Sequence, residues 1–600
     1  MTPRKKAEAL SAKAQPDLFG AAARKKGSAP EKKRTRRVVP EADPPKKKTR
    51  PRPTVETGKL IELPVKAAPP DRVREPAAPK APRRPKKSPP KPGKQREISV
   101  SEFFAKNRHL LGFDNPSKAL LTTVKEAVDN SLDACEEAEI LPRVEVRIEQ
   151  LSEDRFRIAV EDNGPGIVKK EAPRIFGSLL YGSKFHRLRQ SRGQQGIGIS
   201  AAGMYGQMTT GKPMVVVSRT GKKATAHRFA LLLDTKKNLP VIAEDDEIEW
   251  GPEHGTRVEI ELEGTYKGGQ HSVDRYLRQV ALANPHAELL YHAPKGETHR
   301  YERSVSDLPP EAKEIKPHPR GVELGTLMKM LKETKARHVS AFLTHEFSRV
   351  SGKVADEILA AANLKANTSP ARVHRDAAEV LYRAIGKAKI MNPPTNCLSP
   401  IGEAQLIASL QSHHEPEFVA AVTRPPTVYR GNPFVIEAAL AYGGKSFDAD
   451  QTAELYRFAN RVPLQYQKSA CAITKSVIDV AWRSYMVQQS RGALPVAPMA
   501  IAVHIASVWV PFTSESKEAI ASYPEIQKEI RLALQECGRK LAAHIRRGRR
   551  LADAEKKRSY IEKYLPHIGI ALQEILGLSD ERRDERMTQL EEILERSRKL

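Results

Sequence analysis

Residues 116–138 read PSKALLTTVKEAVDNSLDACEEA, a stretch that predicts one long helix after its proline. Glu126, Asn130 and Asp133 stand at positions i, i+4 and i+7, so they share one face of that helix. Apolar residues flank them, and a carboxylate or amide buried among apolar groups is costly without a partner. The face therefore predicts contact with a metal–phosphate ligand, or else an ordinary solvated surface.

Two glycine-rich motifs follow the helix. In EDNGPGI (161–167), Asp162 ends a predicted strand, and its carboxylate could accept a hydrogen bond from an exocyclic amine such as that of adenine. Gly164 and Gly166 permit a tight turn and a close backbone approach to a ligand. In SRGQQGIGIS (191–200), the glycines expose N–H groups ahead of a helix, an arrangement that cradles phosphates. Each motif alone is weak, because a DNG stretch is most often a simple turn and the second motif is not a Walker sequence.

The order of these parts is more specific than any single one. An acidic helix with an asparagine, a strand ending in DNGxG, a glycine-rich lid and a later HGT at 254–256 follow one another. The sequence thereby resembles the Bergerat-type ATPases, which include DNA gyrase, Hsp90, MutL and histidine kinases. The resemblance implies that Glu126 activates the attacking water, Asn130 coordinates Mg²⁺ and Asp162 reads the adenine of ATP.

Further stretches narrow the resemblance to one family of these ATPases. Most of residues 97–565 look, in collinear order, like the B subunits of DNA topoisomerase VI, a type IIB enzyme. The stretches that carry this likeness are EISVSEFFAKNRHLLGFDNPSKALLTTVKEAVDNSLDACEEA (97–138), FGSLLYGSKFHRLRQSRGQQGIGIS (176–200), KPHPRGVELGTLMKML (316–331) and LSPIGEAQL (398–406). The resemblance implies an ATP-hydrolysing subunit whose ATP-driven dimerisation gates the passage of one DNA duplex through a double-strand break. A separate A subunit makes the break, and the reaction relaxes supercoils and decatenates DNA.

The expected architecture is α+β and multidomain. In chain order it comprises a disordered basic tail (1–96), a Bergerat-fold α/β sandwich with an N-terminal strap (97–315), a helix–two-turn–helix domain (316–410), a ribosomal S5-like transducer (411–545) and C-terminal helices that dock the A subunit (546–600).

The same resemblance assigns the nucleotide site residue by residue. The expected ATP-binding residues are Asn130, Asp162, Gly164, Gly166, Ser183, Lys184, Gly193, Gln194, Gln195, Gly196, Ile197, Gly198, Ile199, Ser200, Thr256 and Lys475. Glu126 and Lys475 are the catalytic candidates, and Asn130 is the Mg²⁺ ligand. Lys475 aligns with the family's transducer lysine, which reaches the γ-phosphate, although a lone lysine on an amphipathic helix is usually a solvated side chain. Asp129 departs from the family's glutamate and is expected to face away from Glu126 and Asn130.

The charge distribution predicts a nucleic-acid partner. Of the formal charge of +28, residues 1–96 carry +20, from 29 Lys or Arg and 9 Asp or Glu. Such a basic, proline-rich segment is expected to remain disordered and to bind duplex DNA phosphates without sequence preference, unless it serves only solubility or targeting. RRGRR at 546–550 is a second basic element, or else a solvated helix face.

Other features of the composition predict a cytoplasmic, nucleoid-associated protein with no membrane partner. No apolar run approaches the ~18–20 residues of a membrane span, and no secretory segment is recognisable. The four cysteines are widely spaced, which argues against a zinc site and a disulfide framework and fits a reducing compartment.

Assembly is expected to follow the family pattern, with self-dimerisation on ATP binding and an A₂B₂ heterotetramer. The predicted strap over 98–113 carries three aromatic residues expected to be exposed, Phe103, Phe104 and Phe113. Within the expected docking helices (546–600), the part from about Asp580 carries Leu590, Ile593 and Leu594, apolar residues at helical spacing, which are expected to contact the A subunit unless they pack on the chain's own transducer.

Three other functions fit the sequence less well. A MutL- or Hsp90-like clamp of the same superfamily would not be coupled to DNA cleavage. A sensor histidine kinase is disfavoured because no helix with a phospho-acceptor histidine precedes the ATP motifs. A gyrase-like enzyme is disfavoured because Asp448 and Asp450 lack an accompanying acidic, glycine-rich segment. No tyrosine stands out as the DNA nucleophile, so cleavage is assigned to another polypeptide.

Overall fold

The computed structural model describes residues 102, 106–182, 187–193, 196–234, 237–269, 271–514 and 516–596. The predicted disordered tail lies outside these residues, and so do positions 98–101 and 103–105 of the predicted strap, which include Phe103 and Phe104. In the described part of the chain, no helix is both long enough and apolar enough to cross a membrane.

The first layer is an eight-stranded sheet. Its strands are β1 (Arg143–Gln150), β2 (Arg155–Asp162), β3 (Met214–Arg219), β4 (Ala226–Asp234), β5 (Leu239–Ile248), β6 (Gly255–Glu263), β7 (Glu288–His292) and β8 (Thr298–Tyr301). They lie in the order β5-β4-β3-β6-β2-β1-β7-β8, and all neighbours are antiparallel except β1 and β7, which are parallel. The alternating burial of β1 turns Val144, Val146 and Ile148 toward the core.

Helices cover the sheet and form its core: α1 (Pro116–Glu137), α2 (Ala172–Gly177), α3 (Gly198–Thr210) and α4 (Val273–Ala283). Helix α1 begins as its sequence predicts, because the Asn115 side chain accepts the N–H of Lys118 at 2.8 Å and Pro116 fits the first turn. Phe113 is buried and stacks on Tyr205 with ring centroids 5.2 Å apart. The expectation that Phe113 is exposed is therefore wrong, since this ring fills the core where α1 meets α3.

A separate helical cluster follows. Helices α5 (Leu324–Glu333), α6 (Val339–Glu346), α7 (Gly352–Ala361) and α8 (Arg375–Lys387) bury their own apolar residues, such as Leu327, Phe342 and Leu381. Helix α9 (Glu403–His414), which the sequence assigned to the same domain, packs elsewhere, because Leu406 and Leu410 join the cluster that holds Leu282 and Ala421.

The second sheet has six strands. They are β9 (Phe418–Thr423), β10 (Thr427–Tyr429), β11 (Asn432–Tyr442), β12 (Glu454–Ala459), β13 (Val462–Pro463) and β16 (Met499–Ser507). The order is β10-β11-β16-β12-β13, with β9 paired to β11. β14 (Gln488–Gln489) and β15 (Pro495–Val496) form a small separate ribbon, and α10 (Ala472–Asp479) contributes Ile473 and Val477 to the core of the second sheet.

The C-terminal part is built on one long helix. Helix α11 runs without a break from Pro524 to Leu576 over 53 residues and ends at Gly577, which has a left-handed φ of +61°. From Tyr523 onward the sequence predicts helix that is broken at Pro566 and at Gly577, and the predicted break at Pro566 is wrong. The predicted boundary between residues 545 and 546 falls inside the helix. Packing accounts for this, since Leu565 is buried and helix α12 (Asp580–Arg596) places Met587 against Gly569.

A buried ionic cluster joins the two sheets. Glu136, at the end of α1, lies 2.6 Å from an Arg192 nitrogen, 2.7 Å from His286 Nε2 and 3.6 Å from an Arg461 nitrogen. Burial alone would raise the pKa of Glu136, but these basic groups hold that pKa well below its usual range. Since Arg461 follows β12, the cluster ties the layer of the first sheet to the second sheet.

The same chain of contacts continues inside the second sheet. The Arg461 N–H donates to His504 Nε2 at 3.0 Å, and His504 Nδ1 lies 2.8 Å from a Glu437 oxygen. Glu437 also accepts the N–H groups of Ile401 and Gly402, each at 2.7 Å. The buried carboxylate thus anchors the start of α9.

Replacing this carboxylate tests its structural role. Glu437→Ala leaves two backbone N–H groups and His504 without their acceptor, so the free energy of unfolding should fall by about 3–5 kcal/mol. Urea denaturation, followed by the fluorescence of buried Trp482 in the same core, measures the loss. Glu244→Ala, which removes an exposed carboxylate on β5, is the control and should change stability by less than ~0.5 kcal/mol. Equal stability of the two variants would contradict the role assigned to Glu437.

Candidate nucleotide-binding site

A cavity of about 360 Å³ opens between α1, the loop after β2, the start of α3 and two segments of the domain that holds the second sheet, near Tyr466 and Lys517. Its volume is in the range of small-molecule sites. Eleven of the residues predicted for the site line it: Glu126, Asn130, Asp162, Gly166, Gly193, Gly196, Ile197, Gly198, Ile199, Ser200 and Thr256. Ser183, Lys184, Gln194 and Gln195 lie outside the described residues.

Asp162 forms one end of the cavity and is fixed by backbone groups. Its Oδ1 accepts the N–H of Gly164 at 2.9 Å and the N–H of Thr256 at 3.1 Å. Burial raises the pKa of Asp162, and these hydrogen bonds oppose the rise. The carboxylate is held by two different elements, which orients it for an amine donor in the cavity.

The glycines around Asp162 are required by close packing. Gly166 has φ +70° and Gly255 has φ +140°, and a side chain at either would collide with a backbone carbonyl. Ser218 on β3 links the two motifs, because its hydroxyl accepts the N–H of Ile167 at 2.8 Å and lies 3.1 Å from the Thr256 hydroxyl. His254 lies 2.8 Å from the carbonyl oxygen of Gly164. The DNGxG and HGT motifs are thus one packed unit.

The glycine lid, which we define as residues 191–200, approaches the polar face of α1. A side chain at Gly198 would overlap the Glu126 carboxylate, and one at Gly193 would touch the Asn130 amide oxygen. Gly198 also begins α3, whose first N–H groups have no partner within the helix and favour an anion. The lid therefore places backbone N–H groups of a kind that suits an anion beside Glu126 and Asn130.

Asp133 and Asp129 have other roles on the same helix. Asp133 is buried in an ion pair with Arg192 at 2.8 Å, so it fixes the start of the lid instead of facing the cavity. Asp129 is also buried and accepts the hydroxyl of Tyr276 at 3.4 Å. Burial raises the pKa of Asp129 to about 7. Tyr276 lines the cavity and was not predicted from the sequence.

The structure does not bring Lys475 into the cavity. Lys475 is an exposed residue of α10, and its ammonium donates to the Ser522 hydroxyl at 3.1 Å. Lys517, in the loop between β16 and α11, lines the cavity and donates to the carbonyl oxygen of Arg192 at 3.3 Å. Burial lowers the pKa of Lys517, and the Glu126 carboxylate opposes this. Lys517 was not predicted from the sequence, because a short polar loop has no periodic signal.

The donors at the cavity fit Mg²⁺ only together with a phosphate ligand. Asn130 is exposed into the cavity and offers an amide oxygen of the kind Mg²⁺ accepts. Among the described residues, no group of three or more His, Cys, Asp or Glu side chains could hold a metal alone. This fits Mg²⁺, which is usually bound by one or two protein oxygens and by substrate phosphates.

Comparisons with known proteins agree with this geometry. The family described as "Histidine kinase-, DNA gyrase B-, and HSP90-like ATPase" matches residues 115–264, and "Topoisomerase VI B subunit, transducer" matches residues 393–557. The predicted Bergerat-type ATPase and transducer folds are thereby confirmed.

Curated relatives extend over most of the chain. The B subunit of the type 2 DNA topoisomerase 6 from Archaeoglobus fulgidus is 51% identical over 81% of this chain and 80% of its own length. Its namesakes from Methanococcoides burtonii and Methanosarcina acetivorans are 48% and 46% identical, each over 80% of this chain and 78% of the relative. At this identity and coverage, the chain belongs to the family of type 2 DNA topoisomerase 6 B subunits.

Proposed function

We propose that this chain is the ATP-binding and ATP-hydrolysing B subunit of a type IIB DNA topoisomerase. The observation that carries the proposal is the cavity, in which the nucleotide helix α1, the glycine lid and a transducer lysine meet. ATP-driven dimerisation gates the passage of one duplex through a break made by a separate A subunit, which relaxes supercoils and decatenates DNA. The matched transducer supports this function over a MutL- or Hsp90-like clamp.

Each wall of the cavity has its own task in ATP hydrolysis. Asp162 accepts the adenine amine, and the N–H groups of the glycine lid bind the phosphates. Asn130 would hold Mg²⁺, which would supply positive charge to neutralise the phosphates. Glu126 orients and deprotonates the attacking water. The Lys517 ammonium stabilises negative charge that develops at the γ-phosphate, in the place first assigned to Lys475.

Assembly completes the enzyme. Two copies of this chain dimerise on ATP binding through the strap, and two A subunits dock on the C-terminal helices to give A₂B₂. Helix α11 carries exposed apolar and aromatic residues beyond its buried base, among them Tyr560, Tyr564 and Ile575, which suit such a docking surface. The enzyme acts in the cytoplasm on nucleoid DNA.

Removing the proposed general base separates binding from chemistry. Glu126→Ala should lower the ATP turnover rate about 10²- to 10⁴-fold, because general-base assistance is worth that much. Affinity for a non-hydrolysable ATP analogue, measured by calorimetry, should stay close to that of the unmodified chain. Glu153→Ala, in the exposed turn between β1 and β2, is the control. Near-normal turnover in Glu126→Ala would remove this residue from the role.

Two lysines of the transducer can be compared directly. Lys517→Ala should lower the ATP turnover rate about 10²-fold or more. In other enzymes, the loss of one group that stabilises charge in the transition state has an effect of this size. Lys475→Ala, at an exposed position outside the cavity, should leave turnover unchanged. Phosphate release at saturating ATP measures both. The reverse pattern would restore the assignment to Lys475.

DNA binding should depend on the basic tail and on salt. The four arginines at 546–550 are exposed on the continuous helix α11, and residues 1–96 carry a net charge of +20. Deleting residues 1–96 should weaken DNA binding equally for all DNA sequences. The slope of the logarithm of the binding constant against the logarithm of salt concentration should become shallower by about 0.9 for each phosphate that is no longer neutralised. Fluorescence anisotropy with two unrelated duplexes measures both effects, and ATPase activity without DNA is the control. An unchanged slope would show that the tail does not contact DNA.

A further inference from the structure

The loop that carries Lys517 is connected to the nucleotide helix through the next residue. A Glu518 carboxylate oxygen lies 2.6 Å from the Lys118 ammonium, in the first turn of α1. Both side chains are largely buried, with 8% and 14% of their surface exposed. The other Glu518 oxygen accepts the side-chain N–H of Gln467 at 2.7 Å. One carboxylate of the transducer thus contacts both the ATPase layer and its own domain.

The surroundings of Lys118 stabilise its charge. Its ammonium lies 3.0 Å from Asp114 and 5.2 Å from the centre of the Tyr466 ring. Burial alone would lower the pKa of Lys118, but Glu518 and Asp114 raise that pKa above its ordinary value. Lys118 therefore stays cationic, and Glu518 faces a fixed charge at the cavity wall.

We propose that the Glu518–Lys118 ion pair is a latch that positions Lys517 for the γ-phosphate, so that Glu518 is a positioning residue of the ATPase reaction. This inference rests on the proposed function of Lys517. Because Glu518 and Lys517 are adjacent in one loop, a displacement of Glu518 displaces the Lys517 backbone as well. A displacement of about 1 Å in a catalytic group can cost ~10²-fold in rate.

The latch also aligns the two halves of the reaction. Lys118 and Glu126 belong to the same helix, eight residues apart, which is about 12 Å along its axis. A rigid helix therefore links Glu126, which activates the water, to Lys118, which holds the loop that carries Lys517. The ion pair and the helix thus contribute, together with the contacts of Lys517 to Arg192 and of Glu518 to Gln467, to the distance from water activation to the cation.

Asp114 provides a matched control within the chain. It is the second carboxylate on Lys118, but it precedes α1, is 38% exposed and belongs to the same layer as the lysine. The pair Lys118–Asp114 therefore does not connect α1 to the transducer. Removing Asp114 takes away an equal charge from Lys118 and leaves the latch in place.

The experiment compares Glu518→Gln with Asp114→Asn in the full chain. Glu518→Gln should lower kcat for ATP about 10- to 100-fold while analogue affinity and the midpoint of thermal unfolding change little. Asp114→Asn should keep kcat within about twofold, since it removes only a partly exposed pair. The double variant Glu518→Gln/Lys517→Ala should be no slower than Lys517→Ala alone, because the latch acts only through Lys517.

Each outcome bears on one claim. A normal kcat in Glu518→Gln, with an impaired Lys517→Ala, overturns the latch and leaves the proposed function intact. A normal kcat in Lys517→Ala overturns the role of the lysine itself. A loss in Glu518→Gln that adds in full to the loss in Lys517→Ala would show that Glu518 acts by another route, and it would overturn the latch.

Discussion

The carboxylate of Glu136 is the group on which the arrangement of the domains depends. A buried charge without partners costs several kcal/mol, so basic groups must meet at this position. Arg192 belongs to the glycine lid, His286 follows α4 and Arg461 follows β12, and all three surround the same carboxylate. The lid, the nucleotide helix and the transducer sheet are consequently positioned around a single point of charge.

The basic groups depend on Glu136 in turn. Burial lowers the pKa of Arg461 to about 10, although Glu136 opposes that effect. Arg461 in addition donates to the Ser399 hydroxyl at 2.9 Å, and its N–H reaches His504. The LSPIGEAQL stretch therefore belongs to the same electrostatic unit as the nucleotide lid, although some 200 residues separate them. Such a unit resists partial opening, since moving one member exposes the others to an unbalanced charge.

The sequence predicted those parts of the site that local backbone geometry determines. Asp162, Gly166 and the HGT triplet follow from turns and close approaches that only glycine allows, and these leave a local pattern. Lys517 was not predictable in this way, because its place depends on a contact with Arg192, 325 positions earlier in the chain. Phe113 and Pro566 were misjudged for a related reason, since tertiary packing overrides what an aromatic residue or a proline indicates alone.

Helix α11 gives small movements at its base a large effect. Its first turns are fixed in the transducer core by residues such as Ile530 and Leu541, whereas most side chains beyond residue 543 are exposed. The exposed stretch to Leu576 extends about 50 Å at 1.5 Å per residue. A tilt of about 5° at the base would carry its far end about 4 Å by this geometry. The helix is thus a mechanical lever, with its fulcrum in the domain that carries Lys517 and its long arm in the exposed stretch beyond that domain's core.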